Sequence, residues 1–230
     1  MEPITAPVLE LPARSGTLCE DIDVLVVGGG PAGIGAAIAA ARGGMRVTLL
    51  EKRGFLGGNV TDSHVGIANH YMRRIPFVSS GLYAEMERGF HAAYGRAHFV
   101  GETERLHNEY MQLCLDDFVL DEGVELLFHT FVGDVVMRGD RIDAVVAYTK
   151  KGPVAYRASI VIDATGDGDV AAFAGVPFRQ GRDSDGLCQP GTLMFTVAGV
   201  DVEWFRRQED DIRSLRGVLT RLRDEGRYNL

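Results

Sequence analysis

Runs of apolar residues broken by glycine define the first part of the chain. Val24-Leu25-Val26-Val27 has no polar position, the pattern of a parallel strand covered on both faces. Three glycines follow, and Pro31 stands where the first turn of a helix needs no N–H. Ala36 to Ala41 continue that helix with small, helix-favouring side chains, and Gly43-Gly44 ends it. Residues 46–50 read as a second strand closed by Glu51, so the chain opens as a βαβ unit with a right-handed crossover. Residues 61–101 lose this clarity, and an insertion with a helix around 81–94 is expected there. Leu106, Tyr110, Leu113, Cys114 and Phe118 share a helical face over 103–118. Residues 124–128 read as a third parallel strand. Short strands near 132–137, 142–148 and 154–157, separated by Arg138-Gly139-Asp140 and Lys150-Lys151-Gly152-Pro153, suggest a meander. A further apolar strand is expected over 159–163 and another over 192–197. Ile212, Leu215, Val218, Leu219 and Leu222 mark the face of a final amphipathic helix.

Gly28-Gly29-Gly30-Pro31-Ala32-Gly33 contains Gly-x-Gly-x-x-Gly, a weak signal in a chain with 29 glycines. Its setting makes it specific: it follows an apolar strand, opens a helix, and precedes Glu51 by 23 positions from Gly28. Gly28 permits the tight turn, Gly30 removes a Cβ that would block a pyrophosphate, and Gly33 lets helix and strand approach. Pro31 and Ala32 begin a helix whose unpaired amides and partial positive charge suit phosphate. Glu51, with Lys52 beside it, would take ribose hydroxyls and repel a 2′-phosphate. Arg53 to Asn59 adds a second glycine-rich loop in which Gly57 and Gly58 leave backbone bare along a longer cofactor.

These motifs, with Ile162-Asp163-Ala164-Thr165-Gly166-Asp167-Gly168-Asp169 and Cys188 to Phe195, resemble the FAD-dependent oxidoreductases of the glutathione reductase-like superfamily. The branch resembled includes relatives of fumarate reductase flavoproteins and heterodisulfide reductase flavin subunits, and the likeness covers about residues 20–200. It implies an α/β, Rossmann-like FAD-binding domain (parallel sheet plus β-meander) interleaved with an incomplete substrate domain. The expected boundaries are an arm over 1–20, the FAD-binding domain over 21–62 and 103–175, and substrate or cap segments over 63–102 and 176–230. It also implies that Gly57, Gly58, Asn59 and Val60 lie along FAD, that the Val132 backbone meets the adenine, and that Gly166 and Asp167 lie near the pyrophosphate and ribityl chain. Such proteins carry a further C-terminal segment that closes over the flavin. Nothing after Asn229-Leu230 supplies it, so the expectation is a truncated form or a second polypeptide completing the site within an oligomer. On that view the isolated chain holds FAD weakly.

The expected chemistry is hydride transfer between flavin and a small organic substrate, with a flavin-binding subunit of a larger complex as the alternative and a nicotinamide dehydrogenase as a third reading. His64, six residues past Gly58, is the candidate general base; Cys188 and Gln189 are candidate substrate contacts. Composition narrows the field. A net charge of −8 disfavours a nucleic-acid partner, and no apolar run reaches the length of a membrane span. The three cysteines form no Cys-x-x-Cys pair, which argues against a zinc knuckle or a redox dithiol and fits reduced thiols in a cytoplasm. Asp167 and Asp169 lack a third spaced ligand, so no metal is expected.

Overall fold

The computed structural model describes residues 15–63, 65, 81–94, 108–194, 198–207 and 216–227. The chain divides into two units, Met1–Leu193 and Met194–Leu230. The first contains strands β1 (Thr17–Val27), β2 (Val47–Leu50), β3 (Glu125–Leu127), β4 (Phe131–Arg138), β5 (Arg141–Thr149) and β6 (Gly152–Asp163). Its helices are α1 (Pro31–Arg42), α2 (Gly81–Tyr94), α3 (Asn108–Leu120) and the short α4 (Asp169–Phe173). The second unit holds α5 (Val202–Arg206) and α6 (Arg216–Asp224).

The six strands form one sheet in the order β3-β2-β1-β6-β5-β4. β3, β2, β1 and β6 run parallel, whereas β6, β5 and β4 pair antiparallel. The chain leaves β1 for β2 on one side and later returns as β6 on the other. That reversal makes the C-terminal ends of β1 and β6 a topological switch point, where an open α/β sheet leaves a crevice for a ligand. The fold is Rossmann-like.

Burial on both faces explains the unbroken apolar run in β1. Val24 and Val26 pack with Ile34, Ala37 and Ile38 of α1 and with Met111, Leu115 and Val119 of α3. Leu25, Val27 and Leu50 pack with Val135, Val145, Ala147 and Tyr156. Helices α1 and α3 therefore cover one face, and the other packs side chains of β4, β5 and β6 together with Val170 of α4. Leu82 and Met86 of α2 also rest on the α1–α3 cluster, which ties part of the expected insertion to that core.

The structure departs from the sequence reading at several elements. β1 begins at Thr17, inside the expected arm, because residues 17–19 pair with Val154, Ala155 and Tyr156. The strands expected over 154–157 and 159–163 are one strand of 12 residues. No turn former separates them, and Arg157 at the junction reaches Glu20 and Asp143 on the neighbouring strands instead of reversing the chain. Residues 192–194 are irregular, and the rest of the expected strand there lies outside the described residues. Of the final helical face, Val218, Leu219 and Leu222 lie on α6, while Ile212 and Leu215 fall outside the described residues. No helix of the described residues is long and apolar enough to cross a membrane.

A strap of charges crosses the meander: Arg157 pairs with Glu20 and Asp143, and Asp143 also pairs with Arg138 at 3.0 Å. The hydrogen bond from Arg157, helped by the charges of Arg138 and Arg157, holds the Asp143 carboxyl below its ordinary value of 3.8. A depressed carboxyl stabilises the fold above its unfolded-state pKa and loses that contribution as pH falls through the folded value. The wild type is thus expected to exceed Asp143→Asn in stability at neutral pH, with the gap closing below about pH 4 in denaturant titrations. A gap that persists unchanged into strong acid contradicts the strap.

Candidate functional site

The crevice at the switch point is a pocket of about 340 Å³. Its walls come from the turn after β1 (residues 27–32), the end of β2 (50–53), the loop at 58–62, the β3–β4 junction (130–132) and the turn after β6 (164–169).

Two glycines of the first loop are required by the protein itself. Gly28 has φ +101°, and a Cβ there would lie 2.5 Å from the Ala164 carbonyl oxygen. A Cβ on Gly33 would lie 1.8 Å from the Gly28 carbonyl oxygen, so this glycine sets how closely α1 meets β1. Gly30 differs. Its backbone is extended (φ −73°, ψ 179°), and a Cβ there meets nothing within 4 Å. Gly166, on the facing turn, also has open space where its Cβ would stand. At both positions the protein's own packing leaves the backbone open, with room for a ligand to lie against it.

The start of α1 is the matching donor set. Gly30 is its N-cap and supplies no side chain, while Pro31 at N1 has no N–H. The Ala32 amide lies too early in the helix for an intrahelical partner, and the helix dipole adds positive potential there. The opposite turn is closed upon itself. Asp163 accepts from the Thr165 amide (3.0 Å), the Thr165 hydroxyl (2.7 Å) and the Ala171 amide (2.8 Å). The Thr165 hydroxyl in turn accepts from the Asp169 amide at 2.8 Å, so α4 begins already capped. The uncapped helix start in this pocket belongs to α1.

Glu51 is 7% exposed and holds both flanks of the site. Its Oε2 accepts from the Gly29 amide and its Oε1 from the Arg53 amide, each at 2.7 Å. Each carboxylate oxygen keeps acceptor capacity beyond these bonds, enough for ribose hydroxyls. The second glycine loop folds back on the first: the Gly57 amide donates to the Gly29 carbonyl, and Leu56 lies under Gly29, where a Cβ would come within 2.4 Å of Leu56 Cδ2. Arg53 and Asp62 close this loop with an ion pair at 3.0 Å. The β3–β4 junction is tied to β2 because the Thr130 amide donates to the Glu51 carbonyl and the His129 amide to the Arg53 carbonyl.

Of the residues singled out from the sequence, Gly28, Gly30, Pro31, Ala32, Glu51, Lys52, Gly58, Asn59, Val132, Gly166 and Asp167 line this pocket. Gly33, Gly57 and Val60 are not among its lining residues; Gly33 and Gly57 shape it through packing. Cys188 and Gln189 are exposed and are not among the pocket's lining residues. His64 lies outside the described residues. The sequence reading missed Arg53, Asp62, Thr130, Phe131 and Thr165 as lining residues. The Arg53–Asp62 pair spans a loop whose closure has no sequence signature. Thr165 was legible as part of the turn, but not the carboxylate that its hydroxyl meets.

A comparison with known proteins matches residues 23–229 to the FAD dependent oxidoreductase family, and the chain belongs to that family. Its curated relatives include the thiamine thiazole synthase of Methanothrix thermoacetophila, 32% identical over 177 residues. That match covers 71% of this chain and 62% of the relative. The enzyme of the same name from Pyrococcus horikoshii is 29% identical over 166 residues, covering 66% of this chain and 61% of the relative. The chain therefore spans about three fifths of the length of these relatives. Among solved structures, THI4 of Thermovibrio ammonificans aligns with a TM-score of 0.48 and 22% identity, covering 67% of this chain and 61% of that one. A flavoprotein/dehydrogenase from Cytophaga hutchinsonii aligns at 0.49 with 18% identity, covering 71% and 44%.

The residues present fit the family's cofactor. Bare backbone faces the crevice at Gly30 and Gly166, the amides at the α1 start have no partner among the described residues, and a buried carboxylate with spare acceptor capacity closes β2.

Proposed function

We propose that this chain binds FAD in the β1–β6 crevice and serves an oxidoreductase that passes a hydride between flavin and a small organic molecule. The observation that carries the reading is the open space at Gly30 beside an uncapped helix start, with Glu51 anchored one strand away. Amides of Gly30 and Ala32 donate to the pyrophosphate, and the α1 dipole steadies its charge. Glu51 accepts from the adenosine ribose hydroxyls while its other bonds keep the Gly29 and Arg53 amides in place. Residues 130–132 border the adenine, and residues 57–60 follow the cofactor outward. Gly166 and Asp167 close the side opposite α1. Bound FAD supplies the two-electron chemistry, and the protein's part is to hold and orient it.

The test is the absorbance spectrum of the purified chain after loading with FAD, followed by anaerobic exposure to candidate alcohols and amines. A flavin spectrum shifted by the chain at saturating FAD, and bleached by a substrate, is expected whether or not the flavin survives gel filtration; an unshifted spectrum at saturating FAD overturns the reading. Likeness to thiamine thiazole synthases favours a second reading, in which the chain shares the activity those relatives are named for. Substrate-driven bleaching follows from the first reading and is not required by the second.

A further inference from the structure

The Asp163 carboxylate makes three hydrogen bonds without itself lining the pocket. Its place explains them. β6 ends at Asp163, and the Ala164 amide still donates to Val27 at 2.8 Å, which keeps the turn against β1. The chain must then enter α4 within six residues. Gly168, the N-cap of α4, adopts φ +72° and has no side chain with which to cap. Asp163 does the capping from the strand end. Its Oδ2 takes the Ala171 amide at the third helical position, while Oδ1 holds Thr165 so that the hydroxyl takes the Asp169 amide. The amides of Ala164, Thr165, Asp169 and Ala171 all have partners within the protein. Neither the Gly166 nor the Asp167 amide donates to another described residue. Both residues line the pocket, and the space beside Gly166 is open.

We propose that Asp163 is a positioning residue of the nucleotide site: it locks the 164–171 turn so that the uncommitted amides of Gly166 and Asp167 form the wall opposite the α1 start. The assignment rests on the FAD reading above for the identity of the ligand, but not for the state of the turn. A carboxylate is needed because three donors converge on it from two directions. Asparagine keeps one acceptor oxygen and turns an NH₂ group toward a donor, leaving an amide without a partner.

The test compares Asp163→Asn with Val119→Ala, a cavity in the α1–α3 core away from the pocket lining. FAD affinity is measured by flavin fluorescence, and amide hydrogen exchange is followed in the ligand-free chains. Asp163→Asn is expected to weaken FAD binding about tenfold or more and to speed exchange selectively over residues 165–171. Val119→Ala, with an equal or larger drop in Tm, is expected to leave FAD affinity within about twofold and the turn protected. Equal losses of affinity in both variants, or unchanged exchange in the turn of Asp163→Asn, overturn the proposal. If Asp163→Asn does not fold, Thr165→Val removes the hydroxyl link to Asp163 and Asp169 at nearly constant volume and must give the same selective exchange. A wild-type chain that binds no FAD counts against the cofactor alone; exchange in the ligand-free turn then decides the role of Asp163.

Discussion

A Gly30→Val chain is expected to fold as the wild type does and to lose FAD. The two halves of that result have separate causes. Gly30 has the extended backbone that a β-branched residue accepts readily, and a Cβ there meets nothing within 4 Å. Valine is a poorer N-cap than glycine, so the ligand-free cost is about 1 kcal/mol at most. The valine methyl groups, however, occupy the space beside the α1 amides. Displacing a pyrophosphate from even one or two charge-assisted hydrogen bonds costs about 3 kcal/mol, or roughly a hundredfold in affinity. Thermal melts of the ligand-free chain and FAD titration separate the two effects. Near-normal affinity in this variant places the phosphates elsewhere.

Gly33→Ala has the opposite signature, a loss of the fold itself. Alanine is the better helix former by about 1 kcal/mol, so propensity alone predicts a more stable chain. Against this stands a Cβ 1.8 Å from the Gly28 carbonyl oxygen. No rotamer relieves a clash between Cβ and backbone. Either α1 moves away from β1, which separates Ile34 and Ala37 from Val24 and Val26, or the Gly28 turn opens. Core overpacking ordinarily costs about 1–3 kcal/mol, and a backbone contact this short belongs at or above the top of that range. Urea denaturation is expected to show a destabilisation of about 3 kcal/mol, a large share of a typical domain's stability. A variant as stable as the wild type contradicts the close helix–strand approach.

The parts of this site legible in the sequence are those written over short spans. A strand with no polar position, glycines spaced for a turn, proline at a helix start and an acidic residue closing the next strand are all local constraints. They led directly to Gly28, Gly30, Gly33 and Glu51. What escaped depends on residues far apart in the chain. The continuity of β6 comes from pairing with β5 on one side and β1 on the other, and no pattern within 152–163 distinguishes one long strand from two short ones. The ion pair of Arg53 with Asp62 and the tie from Thr130 to Glu51 exist only once the loops have been brought together. Asp163 was visible as a residue of the third motif, but its work is done on amides up to eight positions onward. Glu51 shows the same limit from the other side. The sequence marked it as a ribose ligand and gave no sign that its two oxygens also tie Gly29 to Arg53.

In the proposed complex a dinucleotide rests with its phosphates at the α1 start and its adenosine ribose on Glu51. A crystal structure of the chain grown with FAD measures this directly. Phosphate oxygens are expected within hydrogen-bonding reach of the Gly30 and Ala32 amides, with a ribose hydroxyl on the Glu51 carboxylate. FAD seated outside the β1–β6 crevice, or in it with Glu51 remote from the ribose, rules out this mode of binding.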